Sequence, residues 1–367
     1  MGAARRIVIK VGTSTLSDPS GRLQPERMEA LVGQIAAIAG TGWAPVLVSS
    51  GAIAAGTARL GWSGRPRSLA DKQAAAAVGQ GLLMGEYERL FAAHQRLVAQ
   101  VLLTRDDLRA RSRYLNSRAT LQALLTHGVI PIVNENDTVA VDEIRFGDND
   151  TLSALVASLI AAERFVILSD IDGLYDADPR QTAGARLLPV VEALTPELEA
   201  AAGGGGPLGT GGMATKLQAA KIAMRAGIEL IIARGDLPDV LARIHAGEPI
   251  GTRFVPQAAA PAGRKRWIAF AEQPHGRLII DDGARTALLS GGKSLLPIGV
   301  VGVDGAFAAG ALVCIVDRDG RELARGLVNY AAAEIEAAKG LRGAELKQRY
   351  GPQAAVEIVH RDNLALS

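Results

Sequence analysis

Cysteine is nearly absent from this 367-residue chain. Cys314 stands alone, so no internal disulfide can form, which fits a reducing, cytoplasmic setting. The five histidines are scattered, without the spacing of a zinc site. Aromatic residues make up only 4%, so the core must be aliphatic. No run approaches about 18 apolar residues, so no membrane-spanning segment is expected. No long apolar stretch follows Arg5 and Arg6, so a secretory signal is not expected. Charge of one sign is not in excess either: 40 Lys+Arg face 38 Asp+Glu, which excludes a global basic field for nucleic acid. What remains is 48% hydrophobic residues and 42 glycines. That is a globular chain with a sizeable core and room for two or three domains.

Short apolar runs alternate with helical patterns over the first two thirds. Ile7–Val11 reads as a strand ending at Gly12. Residues 25–39 place Met28, Leu31, Val32, Ile35 and Ile38 at helical spacing behind Pro25, a good first-turn residue. Gly40-Thr41-Gly42 stops that helix. Further strands are expected at Val46–Val48, Val98–Leu103, Val129–Val133, Phe165–Leu168 and Glu229–Ile232. Near-continuous Val/Ile/Leu runs joined by helices argue for a parallel-rich open α/β sheet with helices on both faces. Ligands of such sheets collect beyond the C-terminal strand ends.

The pattern changes near residue 255. Residues 1–255 form one expected domain and 256–275 a Pro/Ala/Gly-rich linker. Residues 276–355 form a small β-rich domain, and 356–367 a tail. The small domain has short strands at Arg277–Ile280, Gly299–Val303, Ala311–Val316 and Arg321–Val328, with Asp319-Gly320 as a hairpin turn. From 276 to 367 there are 11 Lys/Arg and 11 Asp/Glu, a neutral balance.

Four stretches carry chemistry. Lys10-Val11-Gly12-Thr13-Ser14 puts an ammonium, a glycine and two hydroxyls at a strand end, as an anionic ligand requires. The plainer reading is a lysine whose stem lies on the sheet while its head reaches water. Gly209-Thr210-Gly211-Gly212-Met213-Ala214-Thr215-Lys216 combines glycines, hydroxyls and a lysine at a helix start, which favours phosphate binding over a plain surface loop. Asn134-Glu135-Asn136-Asp137 and Gly147-Asp148-Asn149-Asp150-Thr151 are dense in polar groups. Helix capping accounts for one of Asp150 and Thr151 but not for the whole cluster. Ser169-Asp170-Ile171-Asp172-Gly173 follows a strand and suits a ribose or a metal-bound phosphate as well as it suits a tight turn. Two lookalikes fail on context. Gly204-x-Gly206-x-x-Gly209 follows a helical stretch rather than a strand. Gly292-Lys293-Ser294 has Ala287 where a P-loop needs glycine.

Taken together, these motifs and Val48-Ser49-Ser50-Gly51-Ala52-Ile53 resemble the glutamate 5-kinase family of the amino-acid kinase superfamily. The resemblance spans essentially the whole chain, and the small second domain is similar to a PUA module. Ser169 stands where the family often has Thr, and Ala214 where it often has Ser. The resemblance implies an amino-acid kinase fold and ATP-dependent phosphorylation of the side-chain carboxylate of L-glutamate, with Mg²⁺, as the first step of proline synthesis. It implies that Lys10 and Lys216 contact ATP phosphates and stabilise the transition state, and that Asp148 orients them by charge pairing. Gly12, Thr13, Thr210, Gly211, Gly212, Met213, Ala214 and Thr215 would line the phosphates, with Ser169 and Asp170 near the nucleotide. Ser50, Gly51, Asp137 and Asn149 would bind glutamate, Asp137 at the α-ammonium, with Asn134 and Asp150 nearby. It also implies a homo-oligomer (dimer or tetramer), inhibition by proline, and coupling to glutamyl-phosphate reductase. The glycine-rich loop 203–212 is the expected lid. Related kinases of N-acetylglutamate, aspartate, carbamate or a nucleotide share the lysines and glycines. RNA binding by the PUA-like domain is not expected, given its neutral charge.

Overall fold

The computed structural model describes residues 4–366 apart from 19, 65, 141–148, 180, 181, 183, 202–211, 258–273, 342 and 352–354. The chain divides into two compact units between Ala259 and Ala260.

The first unit carries strands β1 (Arg5–Val11), β2 (Trp43–Ser49), β3 (Val98–Leu103), β4 (Ile130–Glu135), β5 (Arg164–Ser169), β6 (Val190–Val191), β7 (Glu229–Arg234) and β8 (Thr252–Phe254). Its helices are α1 (Thr13–Leu16), α2 (Pro25–Ala39), α3 (Ala52–Arg59), α4 (Leu69–Ala93), α5 (Arg105–Arg109), α6 (Arg111–Thr126), α7 (Asn149–Leu159), α8 (Pro196–Ala201), α9 (Met213–Arg225) and α10 (Val240–His245). The strands form one sheet in the order β3-β4-β2-β1-β5-β7-β8-β6. Pairing is parallel except between β7 and β8. The expected strands are present, each longer by a residue or more or unchanged, except that β4 starts at Ile130 and runs through Asn134 and Glu135. Strands β6 and β8 were not foreseen, because two and three residues cannot show a pattern. The turn into β8 needs Gly251: its φ is +70°, and a Cβ there would lie 2.0 Å from the Ile232 carbonyl oxygen.

Alternation along β1 decides what faces what. Ile7, Ile9 and Val11 join the core beneath α2, α4 and α10. Lys10 shares the opposite face with Val8, toward α7. Residues Asp150–Leu159 of α7 are all buried, as in a helix enclosed on every side. That enclosure brings its first turn against the C-terminal end of the sheet.

Helices α3 and α4 cross with their backbones in contact. A Cβ on Gly79 would stand 1.7 Å from the Ala52 oxygen, and one on Gly56 1.8 Å from the Ala75 oxygen. Replacing Gly79 with alanine therefore forces the helices apart. The expected cost is about 3 kcal/mol or more, at the upper end for overpacking, read as a lowered midpoint in thermal or urea denaturation. A midpoint equal to wild type would refute this contact.

The second unit is a five-stranded sheet in the order β10-β9-β11-β12-β13, from β9 (Arg277–Ile280), β10 (Val300–Asp304), β11 (Leu312–Val316), β12 (Glu322–Leu327) and β13 (Leu364–Leu366). Asp319-Gly320 turns the β11–β12 hairpin. Asp317 Oδ1 accepts from the backbone N–H groups of Asp319 and Arg321 at 3.1 and 2.9 Å. Gly292 ends the helix Asp282–Gly291 in the left-handed region, φ +53°. The P-loop lookalike thus lies at a helix end, where no free N–H groups are presented. Residues 356–367, expected as a tail, are instead part of this unit. Ile358 and Val359 are fully buried, and β13 pairs antiparallel with β12. Most of the expected linker lies outside the described residues.

Candidate active site

Parallel register places the ends of four strands side by side. Lys10 lies between Val48 of β2 and Ile167 of β5, and Val11 between Ser49 and Leu168. Strand β4 adjoins β2 through Val48 and Val133, one residue before Asn134. The segments just past these ends hold the polar groups.

At the centre is a buried charged triad. Lys10 Nζ is 2.6 Å from Asp150 Oδ1, and Lys216 Nζ is 3.2 Å from Asp150 Oδ2. The three residues are 7%, 2% and 6% exposed. Each carboxylate oxygen thus takes one ammonium. Thr215 Oγ1 lies 2.9 Å from Asp150 Oδ2 and 2.9 Å from the Gly212 carbonyl oxygen. Burial alone would raise the Asp150 carboxyl. The charges of Lys10 and Lys216, with hydrogen bonds from Lys10 and Thr215, outweigh burial and hold it below its ordinary value. Two cations against one anion leave one net positive charge, which an anionic ligand can neutralise.

Glycines shape the approach to this charge. Gly212 precedes α9 at φ +117°, ψ −168°, a region almost restricted to glycine. A Cβ on Gly12 would sit 3.8 Å from Lys10 Nζ, so any longer side chain there would fill the space before the ammonium. Gly12 N–H donates to the Leu168 carbonyl at 3.3 Å, tying the end of β1 to β5. Ser169 Oγ donates to Asp170 Oδ1 at 3.0 Å. Thr13 opens α1 beside Gly12, and Met213 and Ala214 lie in the first turn of α9.

A second, neutral cluster adjoins the triad, since Asn149 precedes Asp150. Asn149 Nδ2 faces the Ser49 carbonyl at 3.2 Å, Ser50 Oγ at 2.9 Å and Asn134 Oδ1 at 3.0 Å. Gly51, at φ +107°, starts α3 just beyond Ser50. Asp137 is half-buried in the turn after β4.

The structure therefore joins Lys10, Asp150, Thr215 and Lys216, and separately Ser50, Asn134 and Asn149. Among the described residues it is Asp150 that pairs with the two lysines. Asp148, Thr210, Gly211 and most of the expected lid lie outside the described residues. Two contributors were not anticipated, Gln80 and Tyr87 of α4. Gln80 Oε1 accepts from Asn134 Nδ2 at 2.9 Å. The fully buried Tyr87 hydroxyl is 2.9 Å from Ser49 Oγ. Burial pushes the Tyr87 phenol well up, against the Ser49 hydrogen bond, so it stays a neutral partner. One signal was available: Gln80 is the only polar residue between Ala74 and Gly85.

Among the described residues no three His, Cys, Asp or Glu side chains are grouped to hold a metal ion. Both Asp150 oxygens are engaged by cations. No helix among them is long and apolar enough to cross a membrane.

Residues 5–234 match the model of the amino acid kinase family, and residues 276–350 that of the PUA domain. The chain is 54% identical over 365 residues to glutamate 5-kinase of Moorella thermoacetica, covering 99% of this chain and 97% of that one. It is 50% identical over 367 residues to glutamate 5-kinase of Geobacter sulfurreducens, covering 100% and 98%. Among solved structures, carbamate kinase from Giardia lamblia bound to AMP-PNP superposes with a TM-score of 0.51 at 19% identity, covering 70% of this chain and 100% of that one. At that identity the likeness concerns the fold.

Proposed function

The chain belongs to the glutamate 5-kinase family, with an amino acid kinase domain followed by a PUA domain, and from that premise we propose that it transfers the γ-phosphoryl group of ATP to the side-chain carboxylate of L-glutamate. A glutamate carboxylate oxygen forms the new bond to phosphorus. The bond from the γ-phosphorus to the β,γ-bridging oxygen breaks, and its electron pair leaves with ADP. The product is L-glutamyl 5-phosphate.

The observation that carries this reading is the Lys10–Asp150–Lys216 triad lying beside the Ser50–Asn134–Asn149 cluster. A carboxylate nucleophile has an ordinary pKa of about 4.3 and is already ionised at neutral pH. No general base is required. What the step requires is that two anions be brought together while charge spreads over the transferring group. Lys10 and Lys216 supply that charge. Asp150 holds both ammonium groups in one place and lowers their mutual repulsion. Gly12, Thr13 and residues 210–215 would line the phosphates, with Ser169 and Asp170 toward the nucleotide. Mg²⁺ would enter with ATP as the MgATP substrate, whose phosphates and water supply most of its ligands. Ser50, Gly51, Asn134, Asp137 and Asn149 would receive glutamate.

The same reading places the enzyme in the cytoplasm, as a homo-oligomer at the head of proline synthesis and inhibited by proline. Proline shares the α-amino and α-carboxylate groups of glutamate, which supports overlap at one pocket. An acyl phosphate is labile in water, which supports coupling to a reductase that consumes it.

The test is Mg²⁺- and ATP-dependent acyl phosphate formation trapped with hydroxylamine, with L-glutamate, N-acetylglutamate, aspartate and carbamate side by side. Turnover of L-glutamate alone is expected, and turnover of another acid instead would overturn the substrate assignment. Asp137→Ala is expected to raise the KM for L-glutamate about tenfold or more, as loss of a charge-assisted contact does. The KM for ATP should stay near wild type. An unchanged glutamate KM would remove Asp137 from the pocket.

A further inference from the structure

The side-chain amides behind Asn149 have a fixed direction. The backbone N–H of Glu135 donates to Asn134 Oδ1 at 2.9 Å. A backbone N–H can only donate, so this contact identifies the oxygen of the Asn134 amide. The Asn134 nitrogen then faces Gln80, whose Oε1 accepts at 2.9 Å. The same Asn134 oxygen accepts from Asn149 Nδ2 at 3.0 Å. Asn149 Nδ2 also faces the Ser49 carbonyl and Ser50 Oγ. Its two amide protons are thus shared among three protein acceptors. Among the described residues the carbonyl oxygen of Asn149 is the part of this amide left to meet a ligand, and an oxygen there can accept from an ammonium group.

We infer that Gln80 is a positioning residue: by accepting from the buried Asn134 nitrogen, it holds the Asn134 amide firmly in the direction that the Glu135 N–H dictates, so that Asn149 is held presenting Oδ1 to the ammonium of the amino-acid substrate. This rests on the proposed reading of the pocket as the L-glutamate site. Asn134 is 4% exposed. Without the Gln80 oxygen its nitrogen is buried with no acceptor, which is unfavourable. Turning the amide over is no remedy, because the nitrogen would then face the Glu135 N–H and the Asn149 nitrogen, donor against donor. Either outcome loosens Asn149. Gln80 Nε2 in turn donates to Gln100 Oε1 at 3.3 Å, which leaves Gln80 Oε1 toward Asn134.

The experiment uses the full-length chain, first as wild type and then with Gln80→Met and Gln80→Glu. Met keeps the length of the side chain and removes the acceptor; Glu keeps an acceptor oxygen. Gln80→Met is expected to raise the KM for L-glutamate roughly tenfold. The kcat and the KM for ATP should stay within about twofold of wild type. The inhibition constant of glutarate, which has both carboxylates and no ammonium, should be unchanged. Gln80→Glu should restore most of the glutamate affinity. An unchanged glutamate KM in Gln80→Met, an equal loss of glutarate binding, or no recovery in Gln80→Glu overturns the inference. Should Gln80→Met fail to fold, Gln80→Ala must give the same selective shift. Wild-type protein that does not turn over L-glutamate overturns the substrate reading and this inference with it. Turnover by wild type with no Gln80 effect overturns this inference alone.

Discussion

Replacing Lys10 with alanine is expected to lower kcat by about a thousandfold while changing the KM for glutamate little. Removal of one preorganised charge-stabilising donor costs other enzymes about 10²–10³ in kcat, and Lys10 stands at the upper end for two reasons. It is buried, so its field is poorly screened, and it makes the shorter of the two ammonium contacts to Asp150. The loss should appear in kcat because charge on the transferring group is greatest in the transition state. Arginine is not a rescue. Its planar fork is larger than the ammonium that fits beside Asp150, and it would crowd the space kept open by Gly12. The check is steady-state kinetics by trapped acyl phosphate, with circular dichroism and melting to show that the variant folds. A Lys10→Ala enzyme within tenfold of wild-type kcat sinks the assignment.

Lys10 and Lys216 were legible in the sequence because each charge interrupts an apolar pattern at a place where the chain changes conformation. One ends a buried strand and the other follows a glycine-rich helix start. The pairing of Asp150 with these lysines was not legible. Asp150 stands in the first turn of α7, and whether it faces the lysines depends on the phase of that helix. That phase is set by packing of its buried length, not by composition near its start. Gln80 and Tyr87 were missed for a related reason. Each lies far along α4 from any motif and reaches the site only because Gly56 and Gly79 let α3 and α4 cross closely. The strand order required strand-to-strand registers, which one sequence does not contain. The last strand of the second unit was read as a tail because three residues, Leu364–Leu366, show no alternation. Its reason for existing is the unpaired edge of β12, which only the folded sheet presents.

Asp150→Asn is expected to be the most damaging isosteric change in the molecule, in stability as well as rate. Asparagine can offer an oxygen to one lysine but must turn an N–H group toward the other. The buried net charge of the triad rises from one to two. Removing one partner of a buried ion pair typically costs about 3–5 kcal/mol, and here one carboxylate serves two cations. The acid side of the stability profile gives an independent check. The folded Asp150 carboxyl lies below its ordinary value. Its contribution to stability is therefore complete above the ordinary carboxylate value, near pH 4, and is lost as pH falls through the lowered folded value. Urea denaturation of wild type should show that loss on acidification, and Asp150→Asn should show a shallower dependence over the same interval. The variant should also gain more stability than wild type from added phosphate, because a more positive pocket holds an anion more tightly. A variant with wild-type stability and an unchanged acid limb would mean that the two lysines do not depend on Asp150. Loss of kcat without loss of stability would confine Asp150 to the reaction step.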